Sequence, residues 1–455
     1  MRRSVAVGLG VAAAVGAAVG LASRGSTLMP WPTPVRRAFP AVVGTVAGGS
    51  VGLVTGSAVA LAQGRVPSWR RAVVGVSAAL ALGGGVTVAA GRALRMIEER
   101  NRRIDPDLGA GPASPLVSGS EPSLLHLSEL GREGVRFVSF AVDADRRREV
   151  SASDSRVVQQ SPIRVFVGAD SAETDEQRVA LAMAELRRTG AFHRRCLLVL
   201  APAGTGYANG VPVDALEILT NGDCATVVLG FGLLPSFLSL RKIPLAARGQ
   251  QLLLDAISAE AALSDSPPRI LLYGESLGAS IQQAGVPAGP TDLDAFRVSA
   301  ALWVGTPGGQ VADAMHARCA DESIVLDRPE QIPDPPRVRP PRVWFLEHDG
   351  DPVVRFRPRL LLSRPAWLPG SGQRGRGIPE GMRFRPLITY LQTLVDTLFA
   401  TDVEPGEFAS IGHDYRADLG PVVMAAYGLP APEGLAADLS TVLAELEARR
   451  AQMLT

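Results

Sequence analysis

Ser276 stands in Gly274-Glu275-Ser276-Leu277-Gly278, between an apolar run, Arg269–Tyr273, and the residues Ala279, Ser280 and Ile281. The pattern puts a serine at the turn from a strand into a helix, with a glycine two residues away on either side. That arrangement serves nucleophilic attack. The turn is so sharp that a side chain at either glycine would collide with backbone. The serine is held with its Oγ exposed above the strand end. The following helix aims its N-terminal amides at the place where negative charge develops. In a chain with 48 Gly, five such residues arise by chance; the strand before and the helix after set this turn apart.

A serine hydroxyl is a poor nucleophile. It needs a base, and the base needs an orienting acid. Behind such a turn the expected chain order is serine, acid, histidine. The five histidines are His126, His193, His316, His348 and His413. Only His413, in Ile411-Gly412-His413-Asp414-Tyr415, lies well downstream of both the turn and a plausible acid loop. His348 follows the strand-like Val343–Leu346 directly, where the acid belongs. The acid lies in Glu347-His348-Asp349-Gly350-Asp351-Pro352-Val353, and Asp349 and Asp351 both qualify by position. Proline stiffens the turn that presents a carboxylate, which favours Asp351. An oxyanion hole needs two backbone N–H groups. One is expected from Leu277. The other is expected from the loop after the fold's third strand, Pro202-Ala203-Gly204-Thr205-Gly206-Tyr207, with Gly204 and Thr205 as candidates. An ordinary glycine turn has the same composition. The sequence carries no phosphate-binding loop, dinucleotide fingerprint or metal-ligand cluster, so neither cofactor nor metal is expected.

These residues need a frame, and the pattern from residue 163 supplies one. Apolar strands are expected at Ile163–Gly168, Cys196–Ala201, Ala225–Phe231, Arg269–Tyr273, Val298–Val304 and Val343–Leu346. Helical periodicity falls between them at Thr174–Arg188, Val213–Leu219 and Leu245–Leu263. Continuous apolar strands alternating with helices mean a mostly parallel sheet with helices on both faces. Ligands of such sheets bind beyond the carboxyl ends of the strands, where Ser276 falls.

The first hundred residues differ. Residues 4–22, 41–62 and 72–90 are nearly free of charge and each is close to the ~20 residues that cross a bilayer as a helix. Arginines punctuate the gaps, and Trp31 and Trp69 lie near segment ends, as interfacial anchors do. Gly44, Gly48, Gly52 and Gly56 share one helix face along which another helix could approach closely. The expected organisation is a transmembrane helical domain over 1–95, a linker over 96–160, a catalytic domain over 161–430 and a C-terminal helix over 431–455. Within the linker, 105–122 reads as flexible and Val135–Val142 as an edge strand. The more arginine-rich side of three spans includes Arg92, Arg95, Arg100, Arg102 and Arg103, which puts the catalytic domain in the cytoplasm. Arg2-Arg3 ahead of the first span argues for the opposite topology.

At 455 residues the chain is long enough for a large core plus a second unit. A net charge of +1 with 20% charged residues gives no basic field for nucleic acid. The three cysteines, Cys196, Cys224 and Cys319, have no metal-ligand spacing, and two of them sit in strand-like runs.

The segments Phe166–Ala172, Arg187–Phe192, Leu234–Ser239, Gly274–Gly278, Ala301–Gly305 and Asp351–Val354 resemble an actinobacterial and proteobacterial family. Its members are membrane-anchored α/β-hydrolases, with an N-terminal multi-span domain and a C-terminal catalytic domain. The resemblance covers nearly the whole chain and is strongest over 160–425. It implies an α/β-hydrolase fold preceded by an α-helical transmembrane domain, with Ser276, Asp351 and His413 as the triad. It also supports Asp351, because the family typically has no acid at the position of Asp349. Two features depart from the family. Three spans are read here against about four, and Leu28-Met29-Pro30-Trp31 stands where the family has Leu-Leu-Pro-Arg. The function expected is a membrane-bound serine hydrolase acting on a lipid-like ester. Acyl transfer on the same fold and an inactive membrane scaffold or transport-associated protein are the alternatives.

Overall fold

The structure, a computed structural model, describes residues 28, 95–143, 147, 160–234, 239–334, 341–368, 374–400, 408–430 and 435–454. The three expected membrane spans lie outside the described residues. Among the described residues no helix is long and apolar enough to cross a membrane.

Seven strands form one sheet: β1 Ile163–Val167, β2 Cys196–Ala201, β3 Cys224–Leu229, β4 Arg269–Glu275, β5 Val298–Val304, β6 Ser323–Leu326 and β7 Val343–Leu346. Their order is β1-β3-β2-β4-β5-β7-β6. Each neighbouring pair is parallel. The central strands are wholly buried, as Val/Leu-rich strands covered on both faces must be. The helices are α1 Gly131–Ser139 before β1; α2 Asp175–Thr189, α3 Gly210–Leu219, α4 Ile243–Ala261, α5 Leu277–Gly285, α6 Pro290–Ala295 and α7 Gln310–Arg318 between strands; and α8 Pro352–Arg355, α9 Ile388–Phe399, α10 Arg416–Ala426 and α11 Leu435–Met453 after β7. Thr174 caps α2 reciprocally with Gln177, and Gly190 ends it at φ 72°.

The sheet order decides where a ligand can enter. The crossover from β2 to β3 runs one way along the sheet, and those from β3 to β4 and β4 to β5 run the other. Right-handed crossovers then place α3 on one face and α4 and α5 on the other. The loops leaving β2 and β4 diverge, and the crevice between these adjacent strand ends is the topological switch point.

The chain divides into two compact units, residues 97–355 with 401–455, and residues 1–96 with 356–400. In the smaller unit Leu28 packs with Leu368, Ile378 and Met382, and its N–H donates to Asp396 at 3.0 Å. Residues 356–400, part of the expected catalytic domain, fall in this smaller unit. Within the larger unit, the segment read as flexible lies along the sheet edge. Val117 bridges to Arg164, and the Ser118 hydroxyl accepts the Phe166 N–H at 3.1 Å. The expected edge strand at Val135–Val142 is instead largely α1. Gly134 on that helix meets the Phe166 ring so closely that a Cβ there would fall 2.6 Å away. Small Gly131 and Gly134 and apolar Val135 and Val138 recur at helical spacing, and this overrides the local β preference.

A buried ion network ties β1 to α3 and α11. The Arg164 guanidinium, fully buried, pairs with Asp214 at 2.8 Å and Glu217 at 2.6 Å. Arg450 of α11 reaches the other Asp214 oxygen at 2.6 Å. Removing one member of such a network strands its partners in low dielectric. Arg164→Met is therefore expected to destabilise the chain by about 3–5 kcal/mol, whereas Arg102→Ala, at the exposed pair with Asp170, should scarcely shift the unfolding midpoint. Equal effects of the two in denaturant titrations would contradict the network's role.

Candidate active site

The end of β4 turns directly into α5 at Ser276, whose backbone sits at φ 54°, ψ −122°. Few non-glycine residues adopt such angles, and they persist only where the surroundings hold them. Here the Ser276 N–H donates to the Val304 carbonyl at the end of β5, 2.9 Å away. A Cβ on Gly274 would fall 2.8 Å from the backbone of Ala279, and one on Gly278 would overlap the Ala201 carbonyl at the end of β2. The glycines on either side of the serine are thus sterically required. Leu277, buried, opens α5, so its amide has no partner within the helix.

Asp351 lies just ahead of α8, after β7, and is fully buried. One carboxylate oxygen, Oδ1, accepts the Val353 N–H at 2.8 Å. The other, Oδ2, lies 2.7 Å from His413 Nδ1 and accepts the Tyr415 hydroxyl at 2.6 Å. An ionised carboxylate only accepts, so the proton of the first contact belongs on His413 Nδ1. That leaves Nε2 as the basic nitrogen. This atom is buried and has no hydrogen-bond partner among the described residues, so it makes no hydrogen bond to the Ser276 hydroxyl in this structure. Such bonds commonly tighten only when substrate is bound. The ring is nonetheless held beside the nucleophile turn. It packs on Gly305, at φ 56°, where a Cβ would fall 2.9 Å from His413 Cε1. Gly305 directly follows Val304, which holds Ser276.

Asp349, the other candidate acid, points elsewhere. It pairs with Arg355 at 2.8 Å, partly exposed. His348 is also occupied, with Nδ1 2.8 Å from the Gly412 carbonyl and Nε2 2.9 Å from Asp418. It stacks on Tyr415 at 3.9 Å, so it braces the loop that carries His413. Residue types alone gave no sign of Tyr415. It stands two residues beyond His413 and bridges the Asp351 carboxylate to the His348 N–H, which donates to its hydroxyl at 3.1 Å.

The imidazole of His413 feels opposing influences. Burial disfavours its charged form most strongly, but Asp351, Glu275 and Asp414 together leave its pKa above the ordinary histidine value. Gly204 and Thr205 sit in the loop that follows β2, on the β2 side of the crevice. Within that loop Ala203 N–H donates to Tyr207 O at 2.8 Å and Gly206 N–H to Ala203 O at 2.9 Å. Among the described residues, no group of three or more His, Cys, Asp or Glu is arranged to hold a metal ion.

The sequence profile of an alpha/beta-hydrolase family matches residues 163–439, and the profile of an alpha/beta-hydrolase family N-terminus matches residues 51–141. No curated protein matches the chain. Among solved structures, an iodinated complex of acetyl xylan esterase aligns with a TM-score of 0.24 at 16% identity, over 35% of this chain and 85% of that one. A second acetylxylan esterase structure aligns with a TM-score of 0.23 at 14% identity, over the same shares. Likenesses this slight carry no argument about activity.

Proposed function

The chain belongs to the alpha/beta-hydrolase family, and from that premise we propose that it is a membrane-anchored serine hydrolase that cleaves a lipid-like ester. The observation that carries the proposal is one assembly. A serine is held at φ 54° on a strand-to-helix turn. A buried Asp351 carboxylate lies 2.7 Å from His413 Nδ1; the imidazole packs on Gly305 next to that turn, and its second nitrogen is unpartnered among the described residues.

In the proposed cycle Ser276 Oγ attacks the ester carbonyl while His413 Nε2 takes its proton. The tetrahedral oxyanion is met by the Leu277 amide and by an amide of the Gly204–Thr205 turn. The C–O bond to the leaving alcohol breaks as His413 returns the proton to that oxygen. Water, deprotonated by the same nitrogen, then attacks the acyl-enzyme and releases the acid. Asp351 fixes the tautomer and stabilises the imidazolium throughout. Because the base must be neutral, and its pKa is raised, kcat/KM should fall on the acid side starting above the ordinary histidine value of about 6.5. Covalent labelling by a fluorophosphonate tests the reading. Label is expected on the wild type and not on Ser276→Ala. An unlabelled wild type would point to the scaffold alternative.

The anchor is part of the proposal and rests on the three apolar stretches in residues 4–90. Full-length protein should stay with membranes through a carbonate wash; recovery in the supernatant would remove the anchor. Alkaline phosphatase fused after residue 105 should stay inactive if the arginine asymmetry puts the hydrolase domain in the cytoplasm. Strong phosphatase activity would place it outside.

A further inference from the structure

Glu275 is the residue immediately before the nucleophile, and the cycle above gives it no part. A carboxylate one residue from a developing oxyanion works against the transition state unless it does something else. Its contacts indicate what that is. Oε2 accepts the Tyr273 hydroxyl at 2.6 Å and the Asn209 side-chain amide at 2.7 Å. Asn209 is itself the N-cap of α3, where its Oδ1 accepts the Val211 N–H at 3.0 Å. The amide of Asn209, only 3% exposed, is therefore divided between its own helix and Glu275.

Asn209 also closes the loop that begins after β2 and contains Gly204 and Thr205. The loop's start is fixed because the Ala201 carbonyl lies against Gly278, with no room for a side chain between them. Its finish is fixed by Asn209 on Glu275. Both ends are thereby referenced to the turn that carries Ser276, one on each side of the serine. Two amides can stabilise one oxyanion only if they converge on it, and these two come from different crossovers.

We infer that Glu275 is a positioning residue that holds the loop 202–209 in register with the nucleophile turn, so that amides of both meet the same substrate oxygen. This rests on the serine-hydrolase reading. The tie works through hydrogen bonds to a shared acceptor oxygen, not through the charge as such. A glutamine, whose carbonyl accepts the same two bonds, therefore serves in its place. The competing role is electrostatic, since Glu275 stands with Asp351 and Asp414 among the carboxylates acting on His413.

The test compares wild type, Glu275→Gln, Glu275→Ala, Asn209→Ser and the Glu275→Ala/Asn209→Ser double variant. Serine keeps a helix cap but cannot reach Glu275, so Asn209→Ser decides the matter even if Glu275→Ala does not fold. The readouts are the second-order rate of fluorophosphonate inactivation, kcat and KM for a p-nitrophenyl ester, and Tm. Glu275→Ala and Asn209→Ser should each slow inactivation and lower kcat by about 10- to 100-fold, with KM within about threefold. Glu275→Gln should stay within about threefold of wild type. The double variant should be no slower than the slower single one, because both break the same tie. A glutamine variant as slow as the alanine one, losses that multiply, or wild-type rates for Asn209→Ser would each overturn the inference. Failure of the underlying reading looks different, because then the wild type itself takes no label.

Discussion

Ser276→Ala is expected to lower kcat for short p-nitrophenyl esters by about a millionfold, to the residual rate that binding and oxyanion stabilisation provide. The size of the effect follows from the absence of a substitute. His413 Nε2 would remain a base with no hydroxyl to activate, and direct attack by water would forgo the acyl-enzyme. The fold should hold, because what Ser276 contributes to it is backbone, the N–H bond to Val304 at 2.9 Å. Alanine meets the same φ of 54° at similar cost. Circular dichroism and Tm should therefore match wild type while turnover is lost. Turnover within tenfold of wild type would remove Ser276 from the mechanism.

The second largest effect is expected at the acid, with Asp351→Asn lowering kcat by about ten-thousandfold. Asparagine fits the same space, and its carbonyl can still accept the Val353 N–H that Asp351 Oδ1 accepts. Its amide, however, would face His413 Nδ1 as a donor. The imidazole would then carry its proton on Nε2, the atom that must accept one from Ser276. Loss of the Asp351 charge also withdraws a stabiliser of the imidazolium, so the acid limb of kcat/KM should move to lower pH in the variant. Asp349→Asn breaks only a partly exposed pair with Arg355 and should leave kcat within a few fold. The reverse ranking of the two variants would make Asp349 the acid.

Much of the frame is legible in the chain because burial on both faces forces continuous apolar runs. Cys196–Ala201 and Val343–Leu346 coincide with strands β2 and β7. β6 is not legible in this way. It is four residues long at the sheet edge, and its Val325 is 52% exposed, so no apolar run marks it. Residues 135–142 mislead for the opposite reason. Their valines and Phe137 favour a strand locally, and only the spacing of Gly131, Gly134, Val135 and Val138 against β1 makes a helix.

The candidate site divides along similar lines. Ser276, Asp351 and His413 follow from chain order and turn chemistry. The preference for Asp351 over Asp349 follows from the proline after it and from the family resemblance, and the geometry that separates the two carboxylates belongs to tertiary structure. Tyr415 and Asn209 were missed because their contacts join residues 64 and 66 positions apart in the chain. Neither residue type marks such a contact. Gly204 and Thr205 show the limit of side-chain reasoning, since an oxyanion hole is made of backbone.

Peptide mapping by mass spectrometry after fluorophosphonate treatment of the full-length protein tests the central claim most directly. The expected result is one phosphonyl group per chain, on Ser276, formed more slowly as pH falls through the raised His413 pKa and absent after prior unfolding. An adduct on another serine, or no adduct on folded protein, would contradict the assignment of Ser276 as an activated nucleophile.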